Sequence, residues 1–323
     1  MKYGEIEGIN KPVSRIVQGT GFLATKELDD MFKLMDAALK AGINTFDTAH
    51  VYGQGEVERI FGQWMEERQN RDEIVLIAKG AHHNDYRRRV TPFDIDSDIH
   101  DSMARLKTDY FDIYMLHRDD PTVPVGAIVE KLHEYQQKEI IGVYGGSNWS
   151  TERIKEANAY AAEHGLSPFM VSSPHYSLAE RVKEPWEGCL TISGHTHRAA
   201  RDWYEANQMA LFTWSTLAGG FFTGRFTPNN LDTFTEHFDR QVVLAYIDEG
   251  NFQRLDRVKT LAAEKGLSLN QIALAFVFSQ LLNLFVLLGS RTTAEVLQNI
   301  ATMEEIQLTP EECAWLDLLS DTR

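Results

Sequence analysis

Eight short runs rich in β-branched and aromatic residues, separated by longer stretches of helical period, constrain this chain more than any other feature of its sequence. The runs occupy positions 15–19, 45–49, 74–79, 111–117, 141–145, 169–172, 210–214 and 284–288. Amphipathic stretches at 27–41, 56–68, 93–106, 125–138, 151–164, 198–207 and 269–280 lie between them. Such alternation is the pattern of repeated βα units around a parallel sheet. Eight strands with crossover helices predict an α/β fold, a closed (β/α)8 TIM barrel. One domain over residues 1–323 is expected, since barrels run past about 250 residues as single units. An open doubly wound sheet would carry a Gly-rich phosphate turn after its first strand; here that turn reads GTGFLAT, which is no GxGxxG. Two stretches break the alternation, 174–197 after the sixth run and 218–250 after the seventh. Both are read as long loops over the carboxyl-terminal rim.

Charge and cysteine usage narrow the function classes. A net charge of −15 argues against a nucleic-acid partner, because phosphate binding needs a basic face and only Arg87, Arg88 and Arg89 cluster. That triplet reads as a solvated surface. Cys189 and Cys313 lie far apart in a chain too large to need stapling, which fits a reducing, cytoplasmic setting. No apolar stretch approaches the roughly 18 residues of a membrane span, so no membrane partner is expected. Nothing in the sequence speaks to oligomeric state.

Barrel enzymes place their chemistry at the carboxyl ends of the strands. The second run ends in Asp47, with His50 and Tyr52 just beyond, in GINTFDTAHVYG; the third ends in Lys79, in VLIAKG. The fourth ends in His117, in DIYMLHRDD, and the fifth leads to Ser147 and Asn148, in GVYGGSNWS. Each alone has a packing or salt-bridge explanation. Together they make a machine, because a phenol with an ordinary pKa near 10 is a poor acid until a neighbouring cation stabilises the phenolate. Lys79 can supply that charge, Asp47 can hold Lys79 charged, and His117 can position a substrate oxygen. A metal site of Asp47, His50, His82 and His117, as in barrel isomerases and hydrolases, would leave Tyr52 and Lys79 without work. The GHTH motif with His195 and His197 lacks companion ligands at metal spacing.

These positions closely resemble the aldo-keto reductase superfamily, whose hallmark is an Asp, Tyr, Lys, His tetrad on such a barrel. The resemblance is carried by NTFDTAHVYGQGEVERIFG, IAKG, YFDIYMLHRDD, IGVYGGSNW, TWSTLAGGFFTGRF and LLGSRTTAEVLQN, and runs nearly end to end. It points to bacterial oxidoreductases of the channel-β-subunit-like and inositol-operon types rather than to aldose reductase. It implies hydride transfer between a nicotinamide cofactor and a carbonyl or alcohol, with Tyr52 as proton donor. Pro12, Val13 and Ser14 then look like the turn of a hairpin plugging the barrel bottom.

The resemblance also implies a cofactor site. Gly19, Thr20 and Asp47 would line it; Ser147 and Asn148 would bind the carboxamide, with Ser173 standing where a Gln is usual. Trp214 would stack on the nicotinamide in place of the usual Tyr. Ser215, Leu217 and Arg225 would contact the pyrophosphate, with Thr216 replacing a customary Pro. Gly289, Ser290 and Arg291 precede a helix near Thr293, an anion-favouring arrangement, and Arg291 is the candidate for a 2′-phosphate. Gln298 and Asn299 match adenine contacts. Glu295, where Arg is often found, would repel that phosphate. NADP(H) is the expected cofactor, with NAD(H) second.

Substrate contacts are expected from Phe22, His50, His82 and Trp149, with Tyr86, Tyr176 and Trp186 nearby, a mixed aromatic and polar set suited to small carbonyl compounds or sugars. The reading from a different class is a cofactor-binding sensor or accessory subunit with little turnover.

Overall fold

The computed structural model describes residues 1–25 and 27–323. An antiparallel hairpin, β1 (Tyr3–Gly4) and β2 (Val13–Ser14), precedes eight parallel strands. These are β3 (Ile16–Gly19), β4 (Thr45–Asp47), β5 (Val75–Gly80), β6 (Phe111–Leu116), β7 (Ile141–Ser147), β8 (Val171–Ser173), β9 (Ala210–Thr213) and β10 (Leu284–Leu288). They close in the spatial order β10-β3-β4-β5-β6-β7-β8-β9, a (β/α)8 barrel in which each strand pairs with its neighbour in sequence. Helices α1 (Leu28–Lys40), α2 (Glu56–Arg68), α3 (Pro92–Leu106), α4 (Val125–Gln137) and α5 (Thr151–His164) make the first five crossovers. Helix α6 (Arg198–Asn207) follows β8, and α7 (His237–Tyr246), α8 (Glu249–Lys265) and α9 (Leu269–Phe278) follow β9. After β10 come α10 (Thr293–Glu305) and α11 (Pro310–Leu316).

The described residues divide into two compact units. The first comprises Met1–Ser173, Met209–Phe212 and Phe285–Val296; the second comprises Pro174–Gln208, Thr213–Leu284 and Leu297–Arg323.

In the first unit, period-two alternation sends every second strand residue inward. Val17, Val75, Ile77, Ile113, Met115, Val143, Val171, Ala210, Phe212 and Phe285 form the barrel core. The hairpin contributes Ile6 and Val13 to the same cluster, with Ile9 packed against it. The hairpin plug expected from the opening segment is thus present, but Val13 and Ser14 form its second strand and not a turn. The same alternation fixes the rim. Counting two residues on from Ile77, Met115 and Val171 gives Lys79, His117 and Ser173, and two steps from Val143 give Ser147.

The second unit has its own tie. Asn251 at the start of α8 donates to the Glu180 and Tyr246 carbonyls at 2.7 and 2.8 Å, and its Oδ1 accepts the Glu180 N–H at 2.8 Å. The nearby guanidinium of Arg254 pairs with Glu180 and Asp317.

Three expectations change. The fifth strand runs to Ser147, two residues beyond the expected end, although Gly145 and Gly146 resemble strand breakers. A Cβ at Gly145 would lie 1.8 Å from the Val171 carbonyl oxygen, so glycine is what lets β7 and β8 approach. The stretch 218–250, read as loop, contains α7, and the 17-residue α8 follows outside the stretches read as helix. Arg87 and Arg88 are exposed, as expected, while Arg89 is half-buried, and all three are paired, with Asp94, Asp120 and Asp98, pinning the β5–α3 connection. Cys189 and Cys313 form no disulfide among the described residues, and no described helix is long and apolar enough to cross a membrane.

Candidate active site

The first unit gathers Asp47, Tyr52, Lys79 and His117 at the carboxyl rim. The Lys79 ammonium pairs with the Asp47 carboxylate and donates to the Tyr52 hydroxyl and the Thr48 carbonyl, each at 3.4 Å. The Tyr52 ring meets the His117 ring edge-on with centroids 5.7 Å apart. Backbone hydrogen bonds stitch these loops to neighbouring strands. The His50 N–H donates to the Lys79 carbonyl and the His117 N–H to the Gly80 carbonyl, both at 2.8 Å.

Burial, the largest single influence, would drive Lys79 toward the neutral amine; Asp47 and Tyr52 together outweigh it, and its pKa rises. Burial raises Asp47, with Lys79 opposing. Tyr52 departs from the sequence argument. Lys79 does favour its phenolate, but burial acts the other way and is larger, so the phenol titrates above its ordinary value. His117 is pushed well below the ordinary imidazole range by burial, with Lys79, Arg118 and His82 adding to it. At neutral pH it is therefore a neutral hydrogen-bond donor, not an acid.

A polar network steadies the Tyr52 turn. Arg105 on α3 donates to the His50 carbonyl and to buried Glu58, each at 3.2 Å. Gly55, at φ 89°, passes so close that a Cβ would meet the Arg105 guanidinium at 2.7 Å. The His50 imidazole faces Asp101 at 3.1 Å and Asp98 at 3.6 Å. Those carboxylates on α3 engage the ring expected to touch substrate. Nothing at the sequence level marked Asp98, Asp101 and Arg105, though their i, i+3 and i+4 spacing on one helix face was available as a signal.

The expected cofactor residues of the first unit occupy the rim beside the tetrad strands. Thr20 donates to the Asp47 carbonyl through its N–H at 3.1 Å and its hydroxyl at 2.8 Å, and Gly19 pairs in register with Asp47. Ser147 donates to the Ser173 carbonyl at 3.0 Å, and Asn148 Nδ2 to the His117 carbonyl at 3.2 Å. Asn148 has a positive φ of 61°, which turns the chain at the end of β7. The Ser173 hydroxyl oxygen is buried without a hydrogen-bond partner among the described residues. Past β10, Gly289 is exposed and Ser290 is buried with its carbonyl accepting from Gln18. Arg291 lies over the Phe22 ring at 5.8 Å. Glu295 accepts the Arg291 N–H at 2.7 Å, and its own N–H donates at 3.2 Å to the Thr292 hydroxyl, which caps α10.

In the second unit, Trp214 contacts His175 edge-on at 5.1 Å and Trp186 at 6.3 Å, with the Arg181 guanidinium 5.9 Å from its ring. Its indole N–H is buried and unpartnered among the described residues. Ser215 has a positive φ of 51°, Leu217 is half-buried, and Thr216 is buried. Arg225 is engaged by Asp239. Gln298 and Asn299 lie on α10, exposed and half-buried. His175 went unmarked in the sequence; its place directly after the sixth barrel strand was the available signal.

Of the expected substrate contacts, His82 packs edge-on against His117 at 4.8 Å, and Phe22 is half-buried. Trp149 is fully buried, its indole donating to the Arg118 carbonyl at 3.1 Å, which leaves it no face for a substrate. Tyr176 is buried and Tyr86 stands in solvent. Among the described residues no group of three or more His, Cys, Asp and Glu side chains is arranged to hold a metal ion.

This barrel matches that of a glycerol dehydrogenase from Gluconobacter oxydans, with a TM-score of 0.75 at 23% identity over 98% of this chain and 94% of that one. The chain belongs to the aldo/keto reductase family, whose model matches residues 15–321. In class it is an oxidoreductase. A relative from Oryza sativa subsp. japonica that bears the name of a voltage-gated potassium channel β subunit is 28% identical, over 96% of this chain and 94% of its own length. A Saccharomyces cerevisiae relative named as an aryl-alcohol dehydrogenase is 27% identical, over 92% of this chain and 78% of its own.

Proposed function

We propose that the protein is a cytoplasmic NAD(P)(H)-dependent carbonyl reductase or alcohol dehydrogenase in which Tyr52 gives or takes the proton. The observation that carries this reading is the Asp47–Lys79–Tyr52 chain ending on a neutral His117. A bound nicotinamide supplies or accepts hydride. Tyr52 delivers its hydroxyl proton to the nascent alkoxide, Lys79 stabilises the phenolate left behind, and His117 donates a hydrogen bond that fixes the substrate oxygen. The family match from residue 15 to 321 supports treating residues 1–323 as one domain.

The side chains suit such a cofactor. The unpartnered Ser173 hydroxyl and the adjoining Ser147 and Asn148 supply polar groups for a carboxamide, with Gly19 and Thr20 beside Asp47. Trp214 offers an aromatic face, and Ser215, Leu217 and Arg225 are assigned to the pyrophosphate. Gln298 and Asn299 are assigned to adenine. Gly289, Ser290 and Arg291 would receive a 2′-phosphate, supporting NADP(H), while Glu295 already occupies the Arg291 N–H and supports NAD(H). Phe22, His50 and His82 remain the proposed substrate contacts, with Asp98 and Asp101 orienting the His50 ring; Trp149, fully buried, serves the scaffold instead. Small carbonyl compounds, including aromatic ones, fit this lining.

The test is tryptophan fluorescence titrated with NADPH and NADH, followed by nicotinamide oxidation against aldehydes and ketones. Quenching with turnover supports the reductase. The rice relative favours a second reading, an accessory subunit, for which tight cofactor binding would come without turnover on any carbonyl.

A further inference from the structure

Three arginines are buried among the described residues: Arg118, Arg153 and Arg254, at 7%, 8% and 2% exposure. Two of them are neutralised twice over. Arg153 pairs with Asp119 and Glu156, and Arg254 with Glu180 and Asp317. Among the described residues, no carboxylate pairs with Arg118. Its guanidinium makes one hydrogen bond, from Nη1 to the His117 carbonyl at 3.0 Å. In a chain with 47 acidic side chains and 32 basic ones, a buried cation left in this state is not explained by packing. Removing a guanidinium from water costs several kcal/mol unless an anion and further hydrogen bonds compensate it.

Its position gives the missing anion an address. Arg118 is the residue after His117, whose ring meets both Tyr52 and His82. Its charge acts on Tyr52, His82, His83 and His117. The other cation there, Lys79, is already committed to Asp47. We propose that Arg118 binds the carboxylate of an anionic substrate, so that the preferred carbonyl compound is an oxo acid and not a neutral aldehyde or sugar. A guanidinium presents a planar fork that matches a carboxylate in two parallel hydrogen bonds, and the low local dielectric strengthens them. The inference rests on the reductase reading above and narrows its substrate class.

The test compares glyoxylic acid with its methyl ester and terephthalaldehydic acid with its methyl ester, as substrates of the wild-type enzyme and of Arg118→Met and Arg118→Lys. Benzoate and benzamide serve as dead-end inhibitors. The wild type should favour at least one acid over its ester by about 10- to 100-fold in kcat/KM and be inhibited by benzoate but not benzamide. Arg118→Met should erase that preference mainly through KM, and Arg118→Lys should keep part of it. Benzoate inhibition reads the site even if the methionine variant folds poorly. Esters turned over as well as acids, with benzoate inert, would overturn the inference and leave the reductase standing. Equal losses for acid and ester in Arg118→Met would also overturn it, exposing a structural role. No turnover of any aldehyde with either nicotinamide would instead remove the reductase reading, and the inference with it.

Discussion

Lys79 holds the Tyr52 hydroxyl at 3.4 Å while its Nζ sits 5.2 Å from the centroid of the same ring. One ammonium thus acts on the phenol oxygen and on the aromatic face. Tyr52→Phe keeps the face and loses the oxygen, so carbonyl turnover should fall by about two to four orders of magnitude. Cofactor affinity should hold within a few-fold. Full turnover in that variant would end the proton-donor assignment.

Removing the cation is a different experiment. Lys79→Met strands the Asp47 carboxylate in the barrel, and breaking a buried pair costs about 3–5 kcal/mol. Denaturant melts of Lys79→Met and of Lys79→Met with Asp47→Asn should separate this loss from catalysis. The double variant should be the more stable of the two. Equal stability would mean that Asp47 is not stranded.

Glu295 accepts the Arg291 N–H just ahead of α10. Glu295→Gln keeps an acceptor and removes the charge, so NADPH should gain affinity relative to NADH by about fivefold, the scale of a screened surface charge. Fluorescence titrations measure the ratio. An unchanged ratio would show that the carboxylate plays no part in cofactor choice.

His117 and His175 are both buried and both titrate well below the free imidazole value of 6.5. Each must gain a proton more readily when unfolded than when folded, so the unfolded state binds more protons in that window. Stability is therefore complete above about pH 6.5 and falls as pH drops further below it. Thermal melts from pH 8 downward should show Tm declining below that point, with a shallower decline in His175→Gln. A Tm that rises on acidification would contradict both burials.

Gly145→Ala puts a methyl group against the Val171 carbonyl, which the barrel cannot move cheaply. A loss near 3 kcal/mol, the upper end for overpacking, is expected in urea melts. A loss below about 0.5 kcal/mol would mean that β7 and β8 adjust freely.

The strand pattern was legible because it is periodic, and so were the rim positions of Asp47, Lys79 and His117 that fall on it; Tyr52, in the turn after β4, was not set by that period. A run of alternating apolar residues fixes which side faces in, and the next inward position is then a rim residue, as Ile77 leads to Lys79. Features set by long-range contacts were not legible. The carboxylates of Asp98 and Asp101 that face His50 could not be read, because they come from α3. Trp149 reads as a rim aromatic until its indole finds the Arg118 carbonyl. The Arg87 to Arg89 triplet reads as solvated because its acids, Asp94, Asp98 and Asp120, come from other turns of chain.

Within the second unit, both nitrogens of the His175 ring are taken. One meets the Thr191 hydroxyl at 2.7 Å and the other the Tyr246 hydroxyl at 2.9 Å, while the ring face abuts Trp214. A neutral imidazole carries one proton for two partners, so its tautomer decides which hydroxyl donates and which accepts. Freeing Tyr246 by fraying α7 would release the ring that Trp214 leans on. Amide exchange in α7 and in the segments around Thr191 and Trp214 should then proceed with one opening free energy, making an aromatic side chain on a strand end the reporter of a helix's local unfolding.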